Sequence, residues 1–223
     1  MKLLKFLAAA AAMVVFTGAA QAALVARSGG MVFDTVQNIT WLADWNYAKT
    51  SGFDADGLMT WSTANNWANN LVYGGFDDWR LPTTNTTASS NCNSAVNPGG
   101  GFPLQYRGAN CTGSEMGHMF YNEFGAIARS GILSGSNTAN LALFTNVQSG
   151  FYWSGTEYAP DPVRAWVFRA EVGRQDVVDE NVALYAVAVR PGDVAASVPE
   201  PQTLALVLLA LGATMVARKR RPV

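Results

Sequence analysis

A buried strand that has to end at a proline constrains this fold more than any other feature of the chain. In Asp77–Thr83 (DDWRLPT), Trp79 and Leu81 alternate with Arg80, as the side chains of one buried strand face do. Pro82 ends the strand because proline has no N–H group for the ladder. Arg80 therefore either pairs with a carboxylate or binds a ligand at the mouth of the following loop. The stretch lies between a predicted helix and a long polar loop, which predicts a mixed α+β domain.

The N-terminus has the three parts of a secretory signal peptide. Met1–Lys5 is basic, Phe6–Phe16 is apolar, and Ala20-Gln21-Ala22 fits the rule of small residues around a cleavage site. We expect signal peptidase to remove residues 1–22. An N-terminal membrane anchor is the alternative, although the apolar run is short compared with the roughly 20 residues of a membrane span.

The C-terminus has a second three-part pattern. Pro199-Glu200-Pro201 precedes an uncharged apolar segment, residues 204–217, and a basic end, Arg218–Arg221. This order resembles the PEP-CTERM sorting signal of Gram-negative bacteria. The resemblance covers residues 198–223 and defines a sorting signal at 197–223. It implies transient anchoring in the inner membrane, recognition by an exosortase, and delivery to the outer surface or extracellular matrix. A plain C-terminal membrane anchor is the alternative.

Residues 23–196 remain, and their length suits one domain with a sizeable core. They contain nine cations and fifteen acidic residues, so their net charge is 9 − 15 = −6. An acidic domain of this kind is a poor candidate for nucleic-acid binding. Two cysteines, Cys92 and Cys111, would meet an oxidising compartment after export, which favours a disulfide that stabilises the fold by about 3 kcal/mol.

Alternating apolar residues predict an opening β-meander and a C-terminal sheet. The predicted strands are Leu24–Arg27, Met31–Asp34, Ile39–Leu42, Phe151–Tyr158, Ala165–Ala170 and Val182–Arg190, and the sheet region is expected to begin at Leu141–Phe144. Both faces of Val182–Arg190 are apolar, so this strand is predicted to be central.

Two helices are predicted from capping signals and apolar stripes. Thr60 caps a helix from Trp61 to about Leu71, and a Thr112/Glu115 capping box begins a helix that ends near Ala128.

Two polar features have a structural and a functional interpretation. Asp54-Ala55-Asp56-Gly57 is either a turn or a fragment of a calcium loop, and the missing distal Glu favours the turn. His118, the only histidine, falls on the polar side of its helix and is therefore expected at the surface. A metal site at His118 is disfavoured because no second His or Cys is near it in sequence. We therefore expect no metal and no cofactor.

Several segments together resemble the Lcl C-terminal domain family of bacteria. The matching segments are Ile39–Leu42, Met59–Trp61, Asp78–Thr83, Tyr152–Ser154 and Ala188–Pro191. The resemblance implies a C-type-lectin-like fold, in which two helices pack on a small twisted antiparallel sheet and a long irregular loop region carries ligand sites. Some members of the family act as surface adhesins for sulfated glycans. The sugar motifs of calcium-dependent lectins, Glu-Pro-Asn and Gln-Pro-Asp, are absent from this sequence.

Three functions remain open. The first is a non-catalytic surface or matrix domain that binds polysaccharide, because aromatic rings stack on sugar faces while Arg and Asn supply directional hydrogen bonds. Its candidate ligand-binding residues are Arg80, Tyr106, Arg107, Arg164, Trp166 and Arg174. The second is a structural component of an exopolysaccharide matrix that acts by self-association. The third is an enzyme, which is disfavoured because the sequence lacks GxSxG, HExxH, a Cys/His pair and a phosphate loop.

Overall fold

The computed structural model describes residues 23–194. The predicted signal peptide, residues 1–22, and the predicted sorting signal, residues 197–223 with the apolar segment 204–217, lie outside the described residues. Within residues 23–194 no helix is both long and apolar enough to cross a membrane.

The predicted β-meander is confirmed, with the predicted bounds. Strands β1 (Leu24–Arg27), β2 (Met31–Asp34) and β3 (Ile39–Leu42) pair in antiparallel order. Asn38 adopts a left-handed φ of 53° in the turn before β3, a conformation that asparagine tolerates better than most residues. A distant strand, Val189–Pro191, completes this four-stranded sheet beside β3.

A second antiparallel sheet contains five strands, whereas the family resemblance implied a single small sheet. Its strands are β4 (Ser94–Val96), β5 (Gln105–Ala109), β6 (Phe151–Glu157), β7 (Arg164–Arg169) and β8 (Arg174–Asp179), and the strand at Val189–Pro191 in the first sheet is β9. The spatial order is β4-β5-β8-β7-β6. Two antiparallel sheets with several short helices confirm the α+β class.

The segment predicted as one central strand, Val182–Arg190, serves both sheets instead. Tyr185 bridges to Tyr152 of β6, whereas Val189 pairs with Trp41 of β3 and bridges to Arg80. One straight strand could not make both sets of hydrogen bonds, so only β9 is a regular strand. The prediction that this segment is buried on both faces holds from Ala186 to Val189.

The helices are short. They are α1 (Tyr47–Thr50), α2 (Trp61–Asn69), α3 (Glu115–His118), which continues into a π-helical turn (Met119–Glu123), α4 (Thr138–Leu141), and 3₁₀ turns at Ala88–Ser90 and Ile132–Ser134. Thr60 caps α2 as predicted, since its side chain accepts a hydrogen bond from the Thr63 amide.

Two helix predictions are wrong. Ser114, not Thr112, is the N-cap of α3, and the Glu115 carboxylate does not reach back to the cap because it binds Arg80. The helical segment also ends at Glu123 rather than near Ala128. Residues 141–144, expected to begin the C-terminal sheet region, instead contain the end of α4.

Two clusters of buried side chains form the core. In the first, Trp45 is completely buried and contacts four other aromatic rings, among them the stacked ring of Trp41 with centroids 5.5 Å apart. The second contains Trp79 and Leu81, each 2% exposed, which confirms the burial predicted for DDWRLPT. The strand predicted there is wrong, because the segment forms only a single bridge, from Arg80 to Val189. Burial of these large rings is the main source of stability in a domain whose helices are short.

The long polar segment after Pro82 is more ordered than the sequence indicated. It contains β4 and β5, and the predicted disulfide joins Cys92 to Cys111 at its base. Asp54-Ala55-Asp56-Gly57 forms the predicted turn, because Asp54 Oδ1 accepts hydrogen bonds from the amides of Asp56 and Gly57. These backbone hydrogen bonds hold the pKa of Asp54 below its usual value.

Candidate functional site

Three neighbouring strands of the second sheet place arginines on one face. In the β7–β8 register Arg174 lies directly opposite Arg169, and Arg107 of β5 reaches Asp176 of β8 with an Nη2–Oδ1 distance of 3.1 Å. Side chains that are directly opposite in an antiparallel pair project from the same face of the sheet. Arg107, Arg169 and Arg174 therefore form one group, which we call the arginine row.

Ion pairs and an aromatic ring hold two members of this row in place. Arg169 donates to Glu171 with an Nε–Oε1 distance of 2.9 Å, and its guanidinium lies 4.7 Å above the centroid of the Phe151 ring. Its Nη1 is 3.9 Å from Asp176 Oδ2, so Asp176 lies between Arg169 and Arg107. About a third of each arginine side chain is exposed, 32% for Arg169 and 33% for Arg107. Both are ordered and still accessible.

Arg174 gives the row its excess positive charge. It is exposed and forms no ion pair with any residue between 23 and 194. Three arginines face two carboxylates, Asp176 and Glu171, so the local charge is 3 − 2 = +1 in a domain of net charge −6. Like charges directly opposite in a sheet repel, and an anion between Arg169 and Arg174 would relieve this repulsion. The row is thus suited to bind carboxylate or sulfate groups.

The structure brings together two of the six predicted ligand-binding residues, Arg107 and Arg174, and adds Arg169, which was not predicted. Tyr106 precedes Arg107 on β5, and strand alternation directs its side chain to the other face. Arg164 lies at the opposite end of β7 from Arg169, five residues or about 16 Å along the strand. There it pairs with Asp161 and Asp179.

The other two predicted residues have structural partners. Arg80 forms an ion pair with Glu115, Nη2–Oε1 2.7 Å, which agrees with the structural interpretation of this residue. Trp166 is completely buried, and its ring lies edge-on to Tyr158 with centroids 5.6 Å apart. A ring without an exposed face does not fit the predicted stacking on a sugar.

A polar cavity of about 420 Å³ was not anticipated. Its lining combines amides, a hydroxyl, a cation, a carboxylate and one aromatic ring: Asn46, Lys49, Thr50, Asp56, Asn146, Gln148 and Tyr185. Asn46 is only 6% exposed, and its Oδ1 has no hydrogen-bond partner. These residues come from three distant parts of the chain, so no local pattern could have revealed the cavity. Its chemistry suits a small polar ligand such as a sugar unit.

His118 lies at the centre of a buried polar cluster, so the prediction that it is a surface residue is wrong. It is 6% exposed, and its Nε2 lies 3.0 Å from Glu123 Oε1 and 3.5 Å from Asp34 Oδ2. Desolvation by burial raises the pKa of Glu123, although His118 opposes this shift. Asp34, His118 and Glu123 are the described residues whose positions could hold a metal ion. The helical pattern failed here because it carries no information about β2, whose Asp34 packs against this side of the helix.

Most of the chain matches the model of one protein family. The family model described as the Lcl C-terminal domain matches residues 30–190, which is 161 of the 223 residues (190 − 30 + 1). The match begins just before β2 and ends within β9, so it includes the arginine row, the polar cavity and the buried cluster. No curated protein matches the chain.

Proposed function

Since this chain belongs to the Lcl C-terminal domain family, we propose that it is an exported, non-catalytic domain that binds an acidic polysaccharide through the arginine row. The observation that carries this proposal is the cross-strand pair of Arg169 and Arg174, two cations held side by side on a sheet face. Sulfate or carboxylate groups that repeat along a polysaccharide would accept hydrogen bonds from both guanidinium groups.

The wider setting is proposed from the sequence. Signal peptidase would remove residues 1–22, and an exosortase would recognise residues 197–223 after transient anchoring through 204–217. The domain would then reach the outer surface or the extracellular matrix. The proposed fold relationship is to C-type-lectin-like domains, for which two antiparallel sheets with short helices and a disulfide-linked loop give general support.

A binding assay with polymers of defined charge tests the proposal. The purified protein would be titrated with dextran sulfate, polygalacturonate and neutral dextran. Because the domain has a net charge of −6, general attraction cannot explain binding to a polyanion, and saturable binding to the two acidic polymers would indicate a local cationic site. The binding should weaken with added salt, since exposed charges are screened.

Matched variants locate the site. Arg174→Ser removes an exposed cation that has no ion pair among the described residues, and loss of one charged hydrogen bond, about 1.4 kcal/mol, would weaken binding about tenfold. Arg164→Ser removes an exposed arginine outside the row and should leave affinity unchanged. No binding to either acidic polymer, or an equal loss in the two variants, would contradict the proposal.

Self-association in a matrix is the second candidate function, and the connection between β4 and β5 favours it. Phe102 and Leu104 are 43% and 47% exposed there, and Val96 is 36% exposed. Exposed apolar side chains grouped in one loop are a common basis for protein–protein contacts. If this function is correct, sedimentation velocity will show concentration-dependent oligomers that the Phe102→Ser/Leu104→Ser double variant lacks. A monomer at all concentrations would contradict it.

A further inference from the structure

The buried cluster of Asp34, His118 and Glu123 has the arrangement of a metal site. Asp34 is the last residue of β2, His118 is the last residue of α3, and Glu123 ends the π-helical turn. One ligand atom from each residue lies within 4.8 Å of the other two. Three elements of the fold thus bring two oxygens and one nitrogen together beneath the surface.

Each carboxylate uses one oxygen for the protein and directs the other into the cluster. Asp34 Oδ1 accepts hydrogen bonds from the amides of Val36 and Gln37, 2.8 and 2.9 Å long. Glu123 Oε2 accepts one from Asn140 Nδ2 at 3.1 Å. The remaining oxygens, Asp34 Oδ2 and Glu123 Oε1, are the atoms that face His118. Such outer hydrogen bonds orient metal ligands in known sites.

The imidazole of His118 is held in the same way. Its Nδ1 lies 3.2 Å from the side-chain amide of Asn122, which leaves Nε2 directed at the two carboxylates. A flip of the Asn122 side-chain amide exchanges its oxygen and nitrogen, which are nearly equal in size. The Nδ1–H of His118 then donates to the Asn122 oxygen, and Nε2 can act as a metal ligand. Asn122 is exposed, so the cluster lies one side chain below the surface.

Hydrogen bonds within the cluster leave both an oxygen and a charge unsatisfied. Asp34 is completely buried, and its Oδ2 has no hydrogen-bond partner. With both carboxylates ionised and His118 neutral, the cluster carries a net charge of −2, which is costly away from water. A divalent cation with neutral His118 gives −2 + 2 = 0 and supplies a partner for the orphaned oxygen.

We propose that Asp34, His118 and Glu123 bind a divalent cation with the chemistry of Zn²⁺. Ligands about 2.0 Å from a tetrahedral ion lie roughly 3.3 Å apart, and the two separations from His118 Nε2 to the carboxylate oxygens are 3.0 and 3.5 Å. One nitrogen and two oxygens suit Zn²⁺, whereas Ca²⁺ takes six to eight oxygen ligands. A water would complete the coordination. The ion would tie β2 to the helical segment and stabilise the fold.

Because His118 is the only histidine in the chain, NMR of its ring nitrogens tests the proposal on the unaltered protein. The ¹⁵N-labelled protein would be purified without a polyhistidine tag, dialysed against a chelator and titrated with Zn²⁺ alone. We expect one ion per chain by calorimetry, a shift of the His118 Nε2 resonance typical of a ligated nitrogen, and an increase in melting temperature. No shift of the ring resonances at saturating Zn²⁺ would overturn the proposal.

Two variants separate this site from adventitious binding at the surface. His118→Gln removes one ligand and should weaken Zn²⁺ binding about 100-fold. Asp161→Asn/Asp179→Asn removes two exposed carboxylates elsewhere and should leave binding unchanged. Loss of binding in the second variant only would overturn the proposal. If His118→Gln does not fold, the NMR titration of the unaltered protein decides the question by itself.

Discussion

Arg80 and Glu115, which are 35 residues apart in the sequence, form a bidentate ion pair. Arg80 Nη1 donates to Glu115 Oε2 at 2.8 Å, and Nη2 donates to Oε1 at 2.7 Å. Glu115 Oε2 also accepts a hydrogen bond from the Thr83 amide at 2.7 Å. The pair fixes the first residue of α3 to the end of the DDWRLPT segment, so the most distinctive sequence motif of the chain anchors a helix.

Replacing Arg80 with lysine tests this anchor. Lysine keeps the charge but cannot form two parallel hydrogen bonds, so we expect Arg80→Lys to lower the free energy of unfolding by about 1–2 kcal/mol. Arg164→Lys is the matched control, because its carboxylate partners are exposed and such pairs contribute about 0–1 kcal/mol. Denaturant unfolding measures both. Equal effects would show that the anchor adds no more stability than a surface pair.

For Gly117→Ala, packing and helix propensity predict opposite changes in the stability of the protein. In an exposed helix, Gly→Ala stabilises by about 1 kcal/mol. Here a Cβ on Gly117 would clash with the Cys111 carbonyl, whose carbon would lie 2.8 Å away. We therefore expect Gly117→Ala to destabilise the protein by about 1–3 kcal/mol in denaturant unfolding.

Gly155→Ala is the control for this substitution. A Cβ at Gly155 would meet its nearest neighbour, Leu81 Cβ, at an ordinary 3.4 Å, so the change in stability should stay within about 0.5 kcal/mol. A stabilised Gly117→Ala variant would mean that α3 moves away from Cys111 at little cost.

The Asp78–Arg190 pair predicts a pH dependence with a definite sign. Hydrogen bonding to Arg190 is the main cause that holds the pKa of Asp78 below its usual value, and burial opposes it. A carboxylate with a lowered folded-state pKa contributes stability above its unfolded pKa, about 3.9, and this contribution is lost as the pH falls through the folded value. Asp78→Asn should thus lower the melting temperature at neutral pH, and the difference from the unaltered protein should shrink in acid.

Asp77→Asn is the control for this pH dependence. Asp77 is the neighbouring carboxylate and forms no ion pair within residues 23–194. Because Asp78 is 43% exposed, screening limits the expected loss in Asp78→Asn to about 1 kcal/mol. If the melting temperatures of Asp78→Asn and the unaltered protein differ as much in acid as at neutral pH, the loss of stability does not come from the charge of Asp78.

Reduction of Cys92–Cys111 should destabilise the fold. The bond spans 19 residues, and the chain-entropy model assigns a loop of this size about 3 kcal/mol. We expect the melting temperature to fall in reductant, as measured by calorimetry. The Cys92→Ala/Cys111→Ala variant should already have the lower value and should not respond to reductant. An unchanged melting temperature would show that the β4–β5 region unfolds separately from the core.

Elements with local signals could be predicted from the sequence. The strands Leu24–Arg27, Met31–Asp34 and Ile39–Leu42 have the predicted bounds because alternation of side chains and turn residues act within a few positions. The Thr60 cap is also local, since its partner is three residues away. Errors arose where distant contacts decided the outcome, as for Glu115, whose carboxylate binds Arg80 rather than its own helix end.

In the candidate sites, too, residue types could be predicted from the sequence, whereas their arrangement in space could not. Arg107 and Arg174 were predicted as ligand-binding residues by type, but only the strand register places Arg169 opposite Arg174 and makes a row. The polar cavity draws residues from three separated segments. His118 was expected at the surface because it falls on the polar side of its helix, and the helical pattern cannot foresee that Asp34 of β2 packs against that side.

By itself the sequence determined the α+β class, the burial of Trp79 and Leu81, and the family to which the chain belongs, because these follow from side-chain periodicity and short motifs. Tertiary structure alone decided which charges meet. The Arg80–Glu115 ion pair and the contact of Asp34 with His118 join residues far apart in sequence. A charged side chain can pair with any opposite charge within reach, and only packing of the sheets and helices restricts that choice to one partner.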